Sequence, residues 1–230
     1  MPRETFEREL HHLQDEILVL GSMVEQAVID AVEALRRRDL EASQRIYRDD
    51  RLINEKRFAI ENSCLVLIAT QQPMARDLRA LAAILEINTE LERIGDYAKG
   101  ISRINILLGK DPLIIPITDL STMAEKGLDM LHRALGAFVA RDADAARAIP
   151  SEDDEIDKLY NRIYHELINE MIANPTIIDH ANFLVWAAHN LERLGDRVTN
   201  ICERTLFVVT GEMRELDVSN GEMNKMRPQE

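Results

Sequence analysis

At 230 residues the chain holds one large domain or two small ones. Its apolar content, 46% of residues with only 4% aromatic, is a Leu, Ile, Val, Ala and Met mix that suits long helices and argues against a β-sandwich. A formal charge of −13, from 28 basic and 41 acidic residues with no local basic cluster, argues against nucleic acid as a direct partner, because phosphate backbones would be repelled.

Apolar residues recur every three or four positions almost throughout, the spacing of amphipathic helices. Six long helices are expected. The first spans 5–37 and the second 39–70, where Gln71, Gln72 and Pro73 break the pattern. The third follows to about 108. Gly109, Pro112 and Pro116 then form a connection that no helix tolerates. Thr118 can cap the fourth helix, which ends near 140. The fifth is read as continuous over 142–173 and stops at Asn174-Pro175. The sixth begins after Thr176 and stops at Gly211, a residue suited to a helix C-terminus. Residues 212–230 lack any period and are expected to form a mobile tail. Helices of about 30 residues would be about 45 Å long, a length typical of bundles. The longest apolar runs, 64–69 and 183–188, fall far short of the roughly 18–20 residues of a membrane span. The first residues are charged throughout, unlike a signal peptide. Cys64 and Cys202 stand alone in helical context, as buried thiols in a reducing cytoplasm do.

The two halves match. Leu91-Glu92-Arg93-Ile94-Gly95-Asp96 is followed by Ile101, and Leu191-Glu192-Arg193-Leu194-Gly195-Asp196 by Ile201. Upstream the register lengthens by three: Asp50, Ile53 and Asn54 match Asp153, Ile156 and Asp157, and Arg38-Asp39 matches Arg141-Asp142. A turn three residues shorter between the last two helices of the second copy accounts for the change. The fold class is therefore all-α, six long helices forming two tandem, duplicated antiparallel three-helix bundles, over 4–109 and 117–211.

The repeated acidic residues share one helix face. The third helix carries a heptad stripe of Ile84, Ile87, Leu91, Ile94, Ala98, Ile101 and Leu108, interrupted by Asn105. Its twin runs from Leu184 through Leu191 and Val198 to Val208. Glu92 and Asp96, like Glu192 and Asp196, lie off that stripe and one turn apart, where like charges repel. Leu78, Leu81 and Leu85 are read as a second apolar strip on the same face. On the preceding helices Asp50 with Asn54, and Asp153 with Asp157, have the same spacing of four. In an antiparallel pair the start of one helix lies beside the end of the next, so each unit is expected to gather four oxygen-bearing side chains. Such patches suit hard or borderline cations, and His189 would add nitrogen in the second unit alone. The competing reading is a set of surface salt bridges with Arg93, Lys99 or arginines of the second helix. Gly95 and Gly195 sit mid-helix at a cost of about 1 kcal/mol each relative to Ala, as a close approach by a neighbouring helix or a ligand requires. Glu9 with His12 and Asp129 with His132 have the spacing of di-iron bundles but fall near unrelated helix ends. Trp186 is expected to fill a gap between helices.

The paired hexapeptides, together with Pro73-Met-Ala-Arg-Asp-Leu-Arg79 and Asp153-x-x-Ile-Asp-x-Leu-Tyr160, resemble the PhoU family over about residues 4–211. The resemblance implies a cytoplasmic regulator, not an enzyme, which restrains phosphate uptake and the phosphate-starvation response. It implies as partners a sensor histidine kinase and the ATPase subunit of the phosphate transporter, with no direct membrane insertion, and a homodimer. It also implies a multinuclear metal cluster of iron, zinc, manganese or magnesium. Carried over by position, its ligands would be Asp50, Asn54, Glu92 and Asp96 in the first copy and Asp153, Asp157, Glu192 and Asp196 in the second. Asn54 stands where the pattern has a carboxylate, so the first cluster would be the weaker. The alternative from another class is a metal-dependent enzyme, a di-iron-like oxidase or a phosphohydrolase, using the same carboxylates in an enclosed pocket.

Overall fold

The computed structural model describes residues 3–115 and 118–216. Pro116, at the end of the expected connection, and the expected mobile tail from residue 217 onward lie outside the described residues. Of that tail, residues 212–216 are described without regular structure, and the Leu216 N–H donates to the Glu203 carboxylate at 2.8 Å.

The helices are α1 (Arg3–Arg37), α2 (Leu40–Gln71), α3 (Ala75–Leu108), α4 (Thr118–Ala140), α5 (Ala143–Ala148), α6 (Asp153–Ala173) and α7 (Ile178–Thr210). The duplication extends to turn chemistry. Arg38 and Arg141 both adopt a left-handed backbone, at φ 55° and 56°. The Asp that follows each caps the next helix: Asp39 accepts from the Ala42 N–H, and Asp142 from the Asp144 and Ala145 N–H groups. Gly211, at φ 80°, closes α7 as its residue type foretold.

The expected fifth helix is broken. Pro150 has no N–H to donate, and Ile149–Glu152 tighten into a 3-10 turn between α5 and α6. The apolar period runs through this break because Ala146, Ile149 and Ile156 all still reach the core. As a result Asp153 opens α6, whereas its counterpart Asp50 lies inside α2.

Both heptad stripes are buried from end to end. Asn105, which interrupts the first, is fully buried and satisfied. It donates to the Ala34 carbonyl at 2.9 Å and to Ser43 Oγ at 2.8 Å, and accepts from Arg38 Nη1 at 2.6 Å. The second apolar strip does not exist as one face, since Leu81 is in the core while Leu78 is 45% exposed. Trp186 fills no gap: it is 54% exposed, its ring edge-on to Phe183. Two residues beyond the stripe residue Leu184, it turns off the buried face.

Each bundle packs its own three rods, and the two join through α3 against α7 and α1 against α4, sharing one core. The helices α3 and α7 run antiparallel, with Glu90 beside Arg197 and Asn200, and Gly100 beside Asn190. Among the described residues α2 and α6 touch only their own bundle. They form the outer flanks, and the grooves they make with α3 and α7 face away from the bundle junction.

Candidate functional site

In the first unit the antiparallel pairing of α2 with α3 sets Asp50 opposite Lys99 and Ile53 opposite Gly95. The mid-helix glycine has a packing cause, because a Cβ at Gly95 would stand 3.1 Å and 3.2 Å from Ile53 side-chain carbons. Asp50 is buried, only 6% exposed. Its Oδ2 accepts from Lys99 Nζ at 2.7 Å and from Asn54 Nδ2 at 3.1 Å, while Oδ1 is buried with no hydrogen-bond partner. Lys99 also lies 3.7 Å from Asp96. Its ammonium is held above the usual lysine range chiefly by the bond to Asp50. Burial pushes the Glu92 carboxyl up, aided by the neighbouring Asp96 and Asp50 charges and opposed by Arg57 and Arg93. Asn54 and Glu92 are half-buried and Asp96 is exposed. The salt-bridge reading therefore holds for part of this patch, through Lys99.

The second unit repeats the backbone arrangement without the counterparts of Lys99 and Arg57. Threonine 199 stands where the first copy has Lys99, and Tyr160 where it has Arg57. The Asp153 carboxyl is pushed up to about 7, first by burial and then by Asp157, Asp196, Glu192 and Asp154. Its Oδ1 is buried with no hydrogen-bond partner. A Cβ on Gly195 would stand 1.9 Å from that same oxygen, so this glycine is the cradle in which the carboxylate lies. Burial and Asp196 likewise raise Glu192, and His189, with Nδ1 3.0 Å from Glu192, opposes them. Thus His189 does join the second patch alone. Tyr160 closes one side, its ring 6.1 Å from that of His189.

The structure thus brings Asp50, Asn54, Glu92 and Asp96 to one groove, and Asp153, Asp157, Glu192 and Asp196 to the other. Among the described residues no three acidic, imidazole or thiol side chains already converge on one ion position. A cation would have to draw the carboxylates inward. The second patch fits a cation on its own chemistry: four carboxylates, Asp153 Oδ1 buried and unsatisfied, a raised proton affinity, and backbone space where a side chain would otherwise lie. The first fits less well, because an ammonium already occupies it. The direction of Lys99 toward Asp50 was not readable from helical spacing. The signal available was the replacement of Lys99 and Arg57 by neutral residues in the second copy. The Glu9/His12 and Asp129/His132 pairs make no comparable cluster; His12, Asp129 and His132 are exposed. Cys64 and Cys202 are buried free thiols, raised to about 12 chiefly by burial.

Comparison with known proteins agrees with this architecture. The family model of the PhoU domain matches twice, over residues 17–104 and 120–205. A phosphate-specific transport system accessory protein PhoU homolog of Clostridium acetobutylicum is 35% identical over 94% of this chain and all of its own length. The phosphate-specific transport system accessory protein PhoU of Serratia marcescens is 34% identical over 90% of this chain and 85% of its own. In three dimensions the phosphate transport system regulatory protein PhoU from Streptococcus pneumoniae superposes with a TM-score of 0.84 at 32% identity, covering 91% of this chain and 99% of that one. PhoU from Pseudomonas aeruginosa gives the same score and identity over 90% of this chain and all of that one. The first three of these relatives are described as accessory or regulatory proteins. No helix among the described residues is long and apolar enough to cross a membrane.

Proposed function

The chain belongs to the PhoU family, and on that premise we propose that it is a cytoplasmic regulator of phosphate uptake and of the phosphate-starvation response. It acts as a rigid helical adaptor between the ATPase subunit of the phosphate transporter and the sensor histidine kinase, working as a homodimer. The observation that carries this reading is the match of both repeats to the PhoU domain, together with relatives of nearly full length described as accessory to phosphate transport. The outer flanks of α2 and α6 suit docking, since rods supported on one side by their own bundle leave the other side to a partner. The oxidase and phosphohydrolase alternatives find no support in those relatives.

Metal is the second part of the proposal. Asp153, Asp157, Glu192 and Asp196 would hold divalent or trivalent cations, iron, zinc, manganese or magnesium among them, with His189 at the edge. Asp50, Asn54, Glu92 and Asp96 form the duplicated counterpart. Bound metal would supply positive charge that neutralises an acidic flank. This chain's own contribution is to hold the carboxylates one turn apart on two adjoining helices, with Gly195 admitting Asp153 between them.

The test is genetic. Deleting the gene in its own host should leave a starvation-gene reporter switched on in abundant phosphate, and the intact gene should restore repression. A reporter that stays repressed without the protein would remove the proposal.

A further inference from the structure

We propose that Lys99 is a built-in counter-ion that closes the first carboxylate patch, so that cation uptake by this chain is confined to the second. The inference rests on the reading of the patches as cation sites, and concerns which of them is open.

The two patches are copies of one backbone arrangement, so their side chains can be compared position by position. In the first, an ammonium nitrogen lies 2.7 Å from Asp50 Oδ2 and 3.7 Å from Asp96 Oδ1. It thus sits between a carboxylate of α2 and one of α3, the place a bridging cation would take. Asn54 adds an amide donor to the same Asp50 oxygen, where the second copy has Asp157. Arg57 lies near enough to Glu92 to oppose its protonation. In the second copy the positions of Lys99 and Arg57 hold Thr199 and Tyr160, neither of which carries a positive charge.

The consequence follows from desolvation. Asp50 is buried, and a buried charge is tolerated only when paired. Lys99 supplies that pairing from within the chain, at a fixed local concentration. A metal ion entering the first patch must displace a tethered ammonium and leave it without its partner. A metal ion entering the second meets Thr199 in place of that ammonium. The duplicated units are thus unequal by construction: one carries its own counter-ion and the other responds to available cations.

The test uses the full chain, stripped with chelator and equilibrated with Mn²⁺ alone, with bound manganese measured by elemental analysis after desalting. Lys99→Thr copies the residue of the second unit. It should raise manganese bound per chain, up to roughly twofold, because the buried carboxylate then lacks its counter-ion. That gain should vanish when Glu92→Gln and Asp96→Asn are added, and should not appear in Lys99→Arg. The reciprocal Thr199→Lys should lose most of the wild-type uptake. Helicity and melting of each variant report folding, and Thr199→Lys supplies the answer if Lys99→Thr fails to fold. A folded Lys99→Thr chain with wild-type uptake, or a folded Thr199→Lys chain that keeps it all, overturns the proposal. A wild type that binds no manganese would instead sink the reading of the second patch as a metal site. The role of Lys99 would then still stand or fall on whether Lys99→Thr gains uptake.

Discussion

Glycine at 195 is explained by a single oxygen atom. Alanine there gains about 1 kcal/mol in helix propensity, but its Cβ would overlap Asp153 Oδ1, the end of a short side chain that can swing away. Gly195→Ala should therefore change unfolding free energy by less than about 1 kcal/mol in either direction, while markedly weakening cation binding. Parallel denaturant melts and metal titrations check this, and unchanged metal affinity contradicts it. Asp153 also gives the metal-free protein a pH dependence. Its carboxyl is ordinary when unfolded, near 3.8, and raised to about 7 when folded. The folded state therefore holds a proton that the unfolded chain has released, and stability falls as pH rises across that window. Relative to Asp153→Asn, chelator-treated wild type should lose stability between about pH 4 and pH 7 and stay level above. A difference that is flat or rises with pH would show that neither burial nor neighbouring carboxylates raise the Asp153 carboxyl. The gathering of these eight side chains into two patches was readable in the sequence because a repeated spacing of oxygen-bearing residues has few structural causes. The role of Lys99 was not, since a long flexible side chain on one helix can reach several partners and only the packed neighbour decides which.

Among the elements, the rods were the legible part, because a heptad stripe fixes both the helix and the face it buries. The break at Pro150 was missed for a physical reason: a 3-10 turn of four residues keeps the next apolar residues on the core side, so the period survives while the hydrogen bonding changes. Trp186 was misplaced because bulk and aromaticity suggest burial, whereas its register, two residues past Leu184, points it outward. The turn between α1 and α2 shows how polar groups can fix a bundle. Asn105 links the α1 end, the α2 start and Arg38 from within the core of α3. Asn105→Ala should cost about 2–3 kcal/mol by stranding the Ala34 carbonyl, Ser43 and Arg38. Equilibrium urea unfolding measures this, and a cost near zero would mean that water replaces the amide.

At the scale of the molecule, duplication created both the symmetry and its breaking. The bundles meet where α3 crosses α7, and there Glu90 pairs with Arg197 at 3.3 Å and with Asn200 at 3.1 Å, all three partly buried. The copy-related contact sets Asn190 against Gly100 and carries no charge. This ion pair helps tie the halves, and Glu90→Ala should lower unfolding free energy by roughly 1.5–3 kcal/mol by leaving Arg197 unpaired. A melt that separates into two transitions would go further and show that the bundles unfold independently. The outer grooves stand on the flanks away from this joint, so a cation bound there would leave the shared core undisturbed. The most direct measurement is a crystal structure of the chain grown with Zn²⁺ and read by anomalous scattering. The account predicts zinc about 2.0–2.2 Å from oxygens of Asp153, Asp157, Glu192 or Asp196, with Lys99 still on Asp50 in the first groove. A second groove holding no zinc, its carboxylates turned to arginines instead, would contradict it.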